Sequence, residues 1–149
     1  DIEPKQKLPR AWLKGTHDFS FSGVKTALLH RAQLEGVYPV ETIDSEHKQQ
    51  IIENMAAAFQ DSVVDVIVTK TLAAAREYKV NGVILGGGVT ANLRLRTVMQ
   101  KKSNIATFIP SPNLCTDNGA MVGACGYFSL SRGCRSSADL DIVPALSLG

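Results

Sequence analysis

Val83-Ile84-Leu85 runs straight into Gly86-Gly87-Gly88, and a helix-patterned stretch follows. Nothing else in the sequence restricts the fold as tightly. A short, wholly apolar strand belongs inside a sheet covered on both faces. Glycines after it let the backbone approach a ligand, because no Cβ stands in the way. The helix expected from about Ala91 to Lys102 offers unpaired N–H groups and a positive dipole end, which suit a phosphate. Ile105 to Ile109 then reads as a second apolar strand. Strand, helix and strand form a β-α-β unit with a right-handed crossover and parallel strands. The chain is therefore read as α/β. Its glycine loop lies at the carboxyl end of a strand, where open α/β sheets bind ligands. A glycine turn that binds nothing is the plainer alternative, although three glycines exceed what a turn requires.

Two familiar phosphate motifs fit poorly. Gly86 to Ala91 matches Gly-x-Gly-x-x-Ala, but a dinucleotide site expects an acidic residue about 20 positions on, at the end of the next strand. That strand ends Phe108-Ile109-Pro110, without an acid. A P-loop fails because no Gly-Lys-Ser/Thr follows.

Upstream the pattern is helical. Residues 1–17 carry Pro4, Pro9 and Gly15 among charges and read as a surface approach segment. Asp18 to Gly23 is extended or turn-like, and a helix follows from about Val24 to Leu34, broken by Gly36 and Pro39. Asp44 or Ser45 is a suitable N-cap for the next helix, with Glu46 in its first turn. There Ile52, Met55, Ala56, Phe59, Val63, Val66 and Ile67 recur at helical spacing. The β-branched stretch 62–69 resembles a strand, but no Gly or Pro interrupts the period, so one long helix to about Tyr78 is expected. A last helix is expected from about Asn118 to Ser131. Two parallel strands are too few for a sheet with both faces buried. Further strands are expected from a part N-terminal to this sequence, with a partner chain as the alternative source.

Composition narrows the class. Of 149 residues, 44% are hydrophobic and 20% charged, which fits a globular chain able to bury a core. A net charge of +2 permits a nucleic-acid partner without requiring one. Cys115, Cys125 and Cys134 are odd in number and too widely spaced for a two-armed zinc motif. They read as reduced thiols of a cytoplasmic protein. No apolar run approaches the roughly 18 residues of a membrane span, and the charged start argues against a signal peptide. The chain opens on Asp1 and reads as a fragment.

Cys115-Thr116-Asp117-Asn118-Gly119-Ala120-Met121 follows the second strand, on the same edge as the glycine loop. Asp117 could simply cap the last helix. It could instead present a carboxylate to a metal beside a bound phosphate, where hard oxygen ligands belong. Gly119, Ala120, Gly123 and Ala124 would let that helix approach the glycine loop closely.

These stretches carry a family resemblance. Asp18-Phe19-Ser20-Phe21-Ser22-Gly23-Val24-Lys25-Thr26, Gly87-Gly88-Val89-Thr90-Ala91-Asn92 and Cys115 to Met121 resemble, in order, three signatures of the tRNA N6-adenosine threonylcarbamoyltransferase family. Older descriptions call this family a glycoprotease. The resemblance runs from about Leu8 onward. It implies the C-terminal portion of an actin-like (ribonuclease H-like) ATPase domain, with residues 1–149 as one incomplete domain whose N-terminal lobe is absent. It makes Gly87, Gly88 and Asn92 nucleotide- or substrate-binding residues and Asp117 an aspartate metal ligand. The family's two histidine ligands come from an N-terminal motif that His17, His30 and His47 do not match, so these read as surface or packing residues.

The activity implied is transfer of a threonylcarbamoyl group from its adenylate to N6 of the adenosine next to the anticodon, in tRNAs reading codons that begin with A. The resemblance implies one divalent metal, iron or zinc, and an adenine nucleotide as substrate moiety. Implied partners are tRNA, threonylcarbamoyl-AMP or ATP, a small paralogous subunit and an ATPase subunit. The chain alone is expected to be inert, to bind metal weakly and to self-associate. Rival readings are an actin-like phosphotransferase, a metalloprotease (though no His-Glu-x-x-His helix exists) and a non-catalytic scaffold paralogue. Basic residues at Lys5, Lys7, Arg10 and Lys14, at Arg94 and Arg96, at Lys101 and Lys102, and at Arg132 and Arg135 read as solvated charges, some available to tRNA phosphates.

Overall fold

A computed structural model describes residues 7–39 and 46–142. In chain order it contains α1 (Ser22–Leu34), α2 (Glu46–Glu77), β1 (Gly82–Ile84), a 3₁₀ turn (Gly88–Ala91), α3 (Leu93–Lys102), β2 (Ala106–Phe108), a second 3₁₀ turn (Pro112–Leu114) and α4 (Gly119–Ser131). The strands pair in parallel, with Gly82 opposite Ala106, Val83 opposite Thr107 and Ile84 opposite Phe108. The helix-rich chain with a small parallel sheet is the expected α/β unit.

Local chemistry sets the helix ends. After α1, Gly36 adopts φ +65°, and the N–H groups of Gly36 and Val37 donate to Gln33 and Ala32. That is a Schellman closure, which favours glycine in the left-handed position. The same pair of bonds closes α2, from Lys79 to Arg76 and from Val80 to Ala75, with Lys79 at φ +51°. The N-cap expected at Asp44 or Ser45 lies outside the described residues.

Helix α2 is the axis of the molecule. Val64, Val68, Leu72 and Ala75 are buried on one side, and Val64, Val68 and Leu72 cluster with Leu95 and Met99 of α3. Ala58, Ser62, Val66 and Lys70, also buried, form a second ladder offset by two residues, roughly 200° around the helix. This ladder meets the segment before α1. The Ser62 hydroxyl donates to Pro9 O, and Lys70 Nζ donates to the carbonyls of Leu13, Thr16 and Asp18 at 3.3, 2.8 and 2.7 Å. An ammonium has three protons, and each finds an acceptor. Two ladders two residues apart make every second position buried from Ser62 to Leu72. The strand-like run at 62–69 is thus a helix buried on two sides.

Asp65 lies at the seam between the ladders. It pairs with Arg10 of the leading segment at 2.7 Å and with Lys102 of α3 at 3.3 Å. Arg10 and Lys102 are structural partners here rather than unattached surface charge.

The sheet departs from expectation. Val83 and Thr107 are half-buried, but Ile84 and Phe108 on the other face are 81% and 61% exposed. Among the described residues, one face of the sheet is covered and the other is not. Helix α4 also differs from expectation, since every one of its residues is exposed. A Cβ built on Gly119, Gly123 or Gly126 would meet nothing within 4 Å. The close approach of its small residues to the glycine loop is therefore not observed.

Candidate functional site

The glycine loop leaves β1 with Leu85 N still donating to Phe108 O at 2.9 Å. Gly87 then takes φ +87°, ψ 164°, a conformation essentially confined to glycine. The expected α3 does not start directly after it. The 3₁₀ turn intervenes: Thr90 donates to Gly87 O through both its N–H, at 3.0 Å, and its hydroxyl, at 2.7 Å. Its buried hydroxyl stabilises this tight turn, and α3 begins at Leu93. Gly86, Gly87 and Gly88 remain exposed, a bare backbone shelf at the carboxyl end of β1.

Asn92 is the N-cap of α3. Its Oδ1 accepts from Leu95 N at 2.9 Å, and its Nδ2 donates to Gln60 Oε1 of α2 at 2.9 Å. The residue expected to bind substrate thus has both ends of its amide engaged within the protein. An Asn92→Ala change would remove a cap, typically about 1 kcal/mol, as well as any ligand contact.

Asp117 is not the cap of α4. That role belongs to Asn118, whose Oδ1 accepts from Met121 N and whose Nδ2 donates to Thr116 O, both at 2.9 Å. The Asp117 carboxylate is exposed and makes no hydrogen bond or ion pair with the described residues. Its neighbour Thr116 stands against the glycine loop: a Cβ on Gly88 would lie 3.7 Å from Thr116 Cγ2. The structure thus brings Gly88 beside the Cys115–Asn118 segment, through Thr116 rather than through α4.

Arg96 holds this arrangement, and the sequence alone does not single it out. Its Nε donates to Thr90 O at 2.6 Å, and its Nη2 donates to Pro110 O at 2.6 Å and to Cys115 Sγ at 2.9 Å. The one available signal is its position four residues after the Asn92 cap, which places it over the loop side of α3. Arg94 pairs with Asp61 of α2 at 3.0 Å. Neither arginine is a free solvated charge. Of the thiols, Cys115 is buried while Cys125 and Cys134 are exposed, and all three are free.

A hard divalent cation would find one suitable donor here, the carboxylate of Asp117. Among the described residues no three His, Cys, Asp or Glu side chains gather as a metal site. His17 instead faces Glu77 at 3.1 Å and the Tyr78 ring at 5.8 Å, a packing role as expected.

The model of the tRNA N6-adenosine threonylcarbamoyltransferase family matches residues 2–124. The chain belongs to that family. Proteins of that name from Dehalococcoides mccartyi, Geobacillus thermodenitrificans and Bacillus subtilis are 45%, 47% and 43% identical to it. These alignments cover 95%, 98% and 95% of the chain but 40%, 42% and 40% of the respective relatives. The chain thus spans about two fifths of the length of the curated relatives it matches. The matched span includes the glycine loop, Asn92 and Asp117. Among the described residues no helix is long and apolar enough to cross a membrane.

Proposed function

We propose that this chain supplies the glycine loop and one metal-ligating carboxylate of a tRNA N6-adenosine threonylcarbamoyltransferase. The observation that carries this reading is the approach of Thr116 to Gly88, close enough that a Cβ on Gly88 would lie 3.7 Å from Thr116 Cγ2, which brings the segment bearing the unpaired Asp117 carboxylate to an exposed glycine shelf. In this reading the chain is the C-terminal portion of an actin-like domain. The donor is threonylcarbamoyl-AMP and the acceptor is N6 of the adenosine next to the anticodon. A small paralogous subunit and an ATPase subunit assist, and the setting is cytoplasmic.

Gly87 and Gly88 give the nucleotide phosphate access to the main chain, with no side chain to keep it away. Asn92 fixes the turn behind them and orients the entry to α3. Asp117 would offer one carboxylate oxygen to a metal bound beside the phosphate. A divalent ion, iron or zinc, supplies electrostatic stabilisation of charge developing on carbonyl and phosphate oxygens when bound. Holding the adenylate in one geometry lowers the entropic part of the barrier to attack by the amine.

The test is Asp117→Asn in the whole protein. Transfer of the threonylcarbamoyl group to tRNA should fall by about 100-fold. The melting temperature of the metal-free protein should stay put, because the carboxylate has no partner among the described residues to lose. Full transfer activity in the variant would remove Asp117 from the site.

A further inference from the structure

We infer that Arg96 is a positioning residue: its guanidinium locks the glycine loop to the segment carrying Asp117 and so sets the spacing of the two halves of the site. The inference rests on the function proposed above and deepens it.

The two halves come from different loops. One follows β1 and the other follows β2, and the strands have only three residues each. Sheet pairing therefore aligns the loop roots but not the loops. Between the loops themselves the side chain of Arg96 makes the polar connection. Nε reaches Thr90 O, in the 3₁₀ turn that begins at Gly88, and Nη2 reaches Pro110 O and Cys115 Sγ on the other side. Cys115 is two residues from Asp117 and one from Thr116, whose Cγ2 would lie 3.7 Å from a Cβ on Gly88.

Both anchorages are shielded. Thr90 and Cys115 are 6% and 3% exposed, so water replaces neither bond readily if Arg96 is lost. Cys115 is held further by contacts of its thiol with Ser111 O at 3.4 Å and Pro110 O at 3.8 Å. Arg96 itself projects from α3, which is packed on α2 through Leu95 and Met99. A planar fork on a fixed helix can bond two loops at a set separation, which a single ammonium cannot reproduce with two separate nitrogens. Nε and Nη2 are thus spent inside the protein, on the two loops that they join.

The experiment uses the whole protein carrying Arg96→Met, with Arg96→Lys as the milder variant should the first fail to fold. Amide hydrogen exchange is followed at residues 88–92 and 115–118, and α2 serves as the internal reference. Exchange in both loops should rise together by about tenfold or more, while α2 changes little. Arg96→Lys should fall between wild type and Arg96→Met. In transfer assays kcat should drop while KM for tRNA holds. Unchanged exchange in either loop overturns the inference. So does a rise in KM for tRNA with stronger salt dependence and intact loops, which would make Arg96 a phosphate contact. Failure of the underlying function shows elsewhere, as full transfer by Asp117→Asn, and leaves the exchange measurement valid.

Discussion

Helices α2 and α4 are both rich in apolar residues, yet they stand at opposite extremes of burial. Helix α2 buries eight residues, Ala58, Ser62, Val64, Val66, Val68, Lys70, Leu72 and Ala75, in two ladders. Helix α4, Gly119 to Ser131, has none, and it leaves Met121, Val122, Tyr127, Phe128 and Leu130 at least half exposed. Composition points the opposite way, for α4 contains no charged residue at all while α2 contains Lys70 in its interior. The difference is in neighbours. Around α2 the chain supplies a helix on one side and a segment of backbone carbonyls on the other. Around α4 the described residues bury no side chain, and its apolar surface adds to those of Ile84 and Phe108 as area that calls for cover.

The strongest test of this contrast is a pair of truncations in the 149-residue chain. Met99, fully buried against α2, should lose about 3 kcal/mol of unfolding free energy on change to Ala. Phe128→Ala in α4 should cost no more than about 0.5 kcal/mol. Similar losses in denaturant titrations would mean that α4 is buried after all.

Lys70 sharpens the comparison from the polar side. Lys70→Met keeps the volume of the stem but leaves three carbonyl oxygens without their donor. The expected loss is about 2 kcal/mol, because the carbonyl-bearing residues are themselves exposed enough for water to help. Limited proteolysis should then cut between residues 13 and 18 sooner than in wild type. A neutral outcome in both measurements would show that the leading segment is held without Lys70, by its other contacts such as Ser62 with Pro9 and Arg10 with Asp65.

The smallest effect concerns Asp65, at the seam of the two ladders. Burial pushes its carboxyl up, but the hydrogen bonds and charges of Lys102 and Arg10 outweigh it and hold the group below its ordinary value. A pKa depressed in the folded state adds stability that is present above the unfolded value of about 4 and is lost as pH falls through the folded value. Asp65→Asn should therefore flatten the fall in melting temperature below about pH 4 and should matter less in high salt. The three side chains are partly exposed, so the change is modest. An unaltered acid limb would exclude Asp65 from the balance.

Much of this architecture was legible because it is written in local signals. Gly36 and Pro39 after α1, and the end of the helical period near Tyr78, bounded α1 and α2 closely from residue types alone. The order strand, glycines, helix, strand was legible for the same reason. The site was legible as a set of loops but not as a geometry. Whether Asp117 or Asn118 caps α4 turns on one backbone torsion, and the cap went to Asn118. The 3₁₀ turn before α3 depends on Thr90 bonding Gly87, and the clamp depends on where Arg96 meets a loop 14 residues later. The burial of Lys70 depends on a segment more than 50 residues earlier in the chain. Such facts belong to tertiary contact, and no window of sequence contains them.

The double ladder on α2 has a consequence for how this chain can change length. A residue inserted near Val66 would turn everything beyond it by roughly 100°. Val68 and Leu72 would swing away from Met99 and Leu95, and in the same stroke Lys70 would leave its three carbonyls. Neither side could be repaired by sliding along the axis, since a shift that restores one register spoils the other. The middle of α2 thus behaves like a key cut on both edges, and related sequences should keep the count between Ala58 and Ala75 even where they exchange the residues themselves.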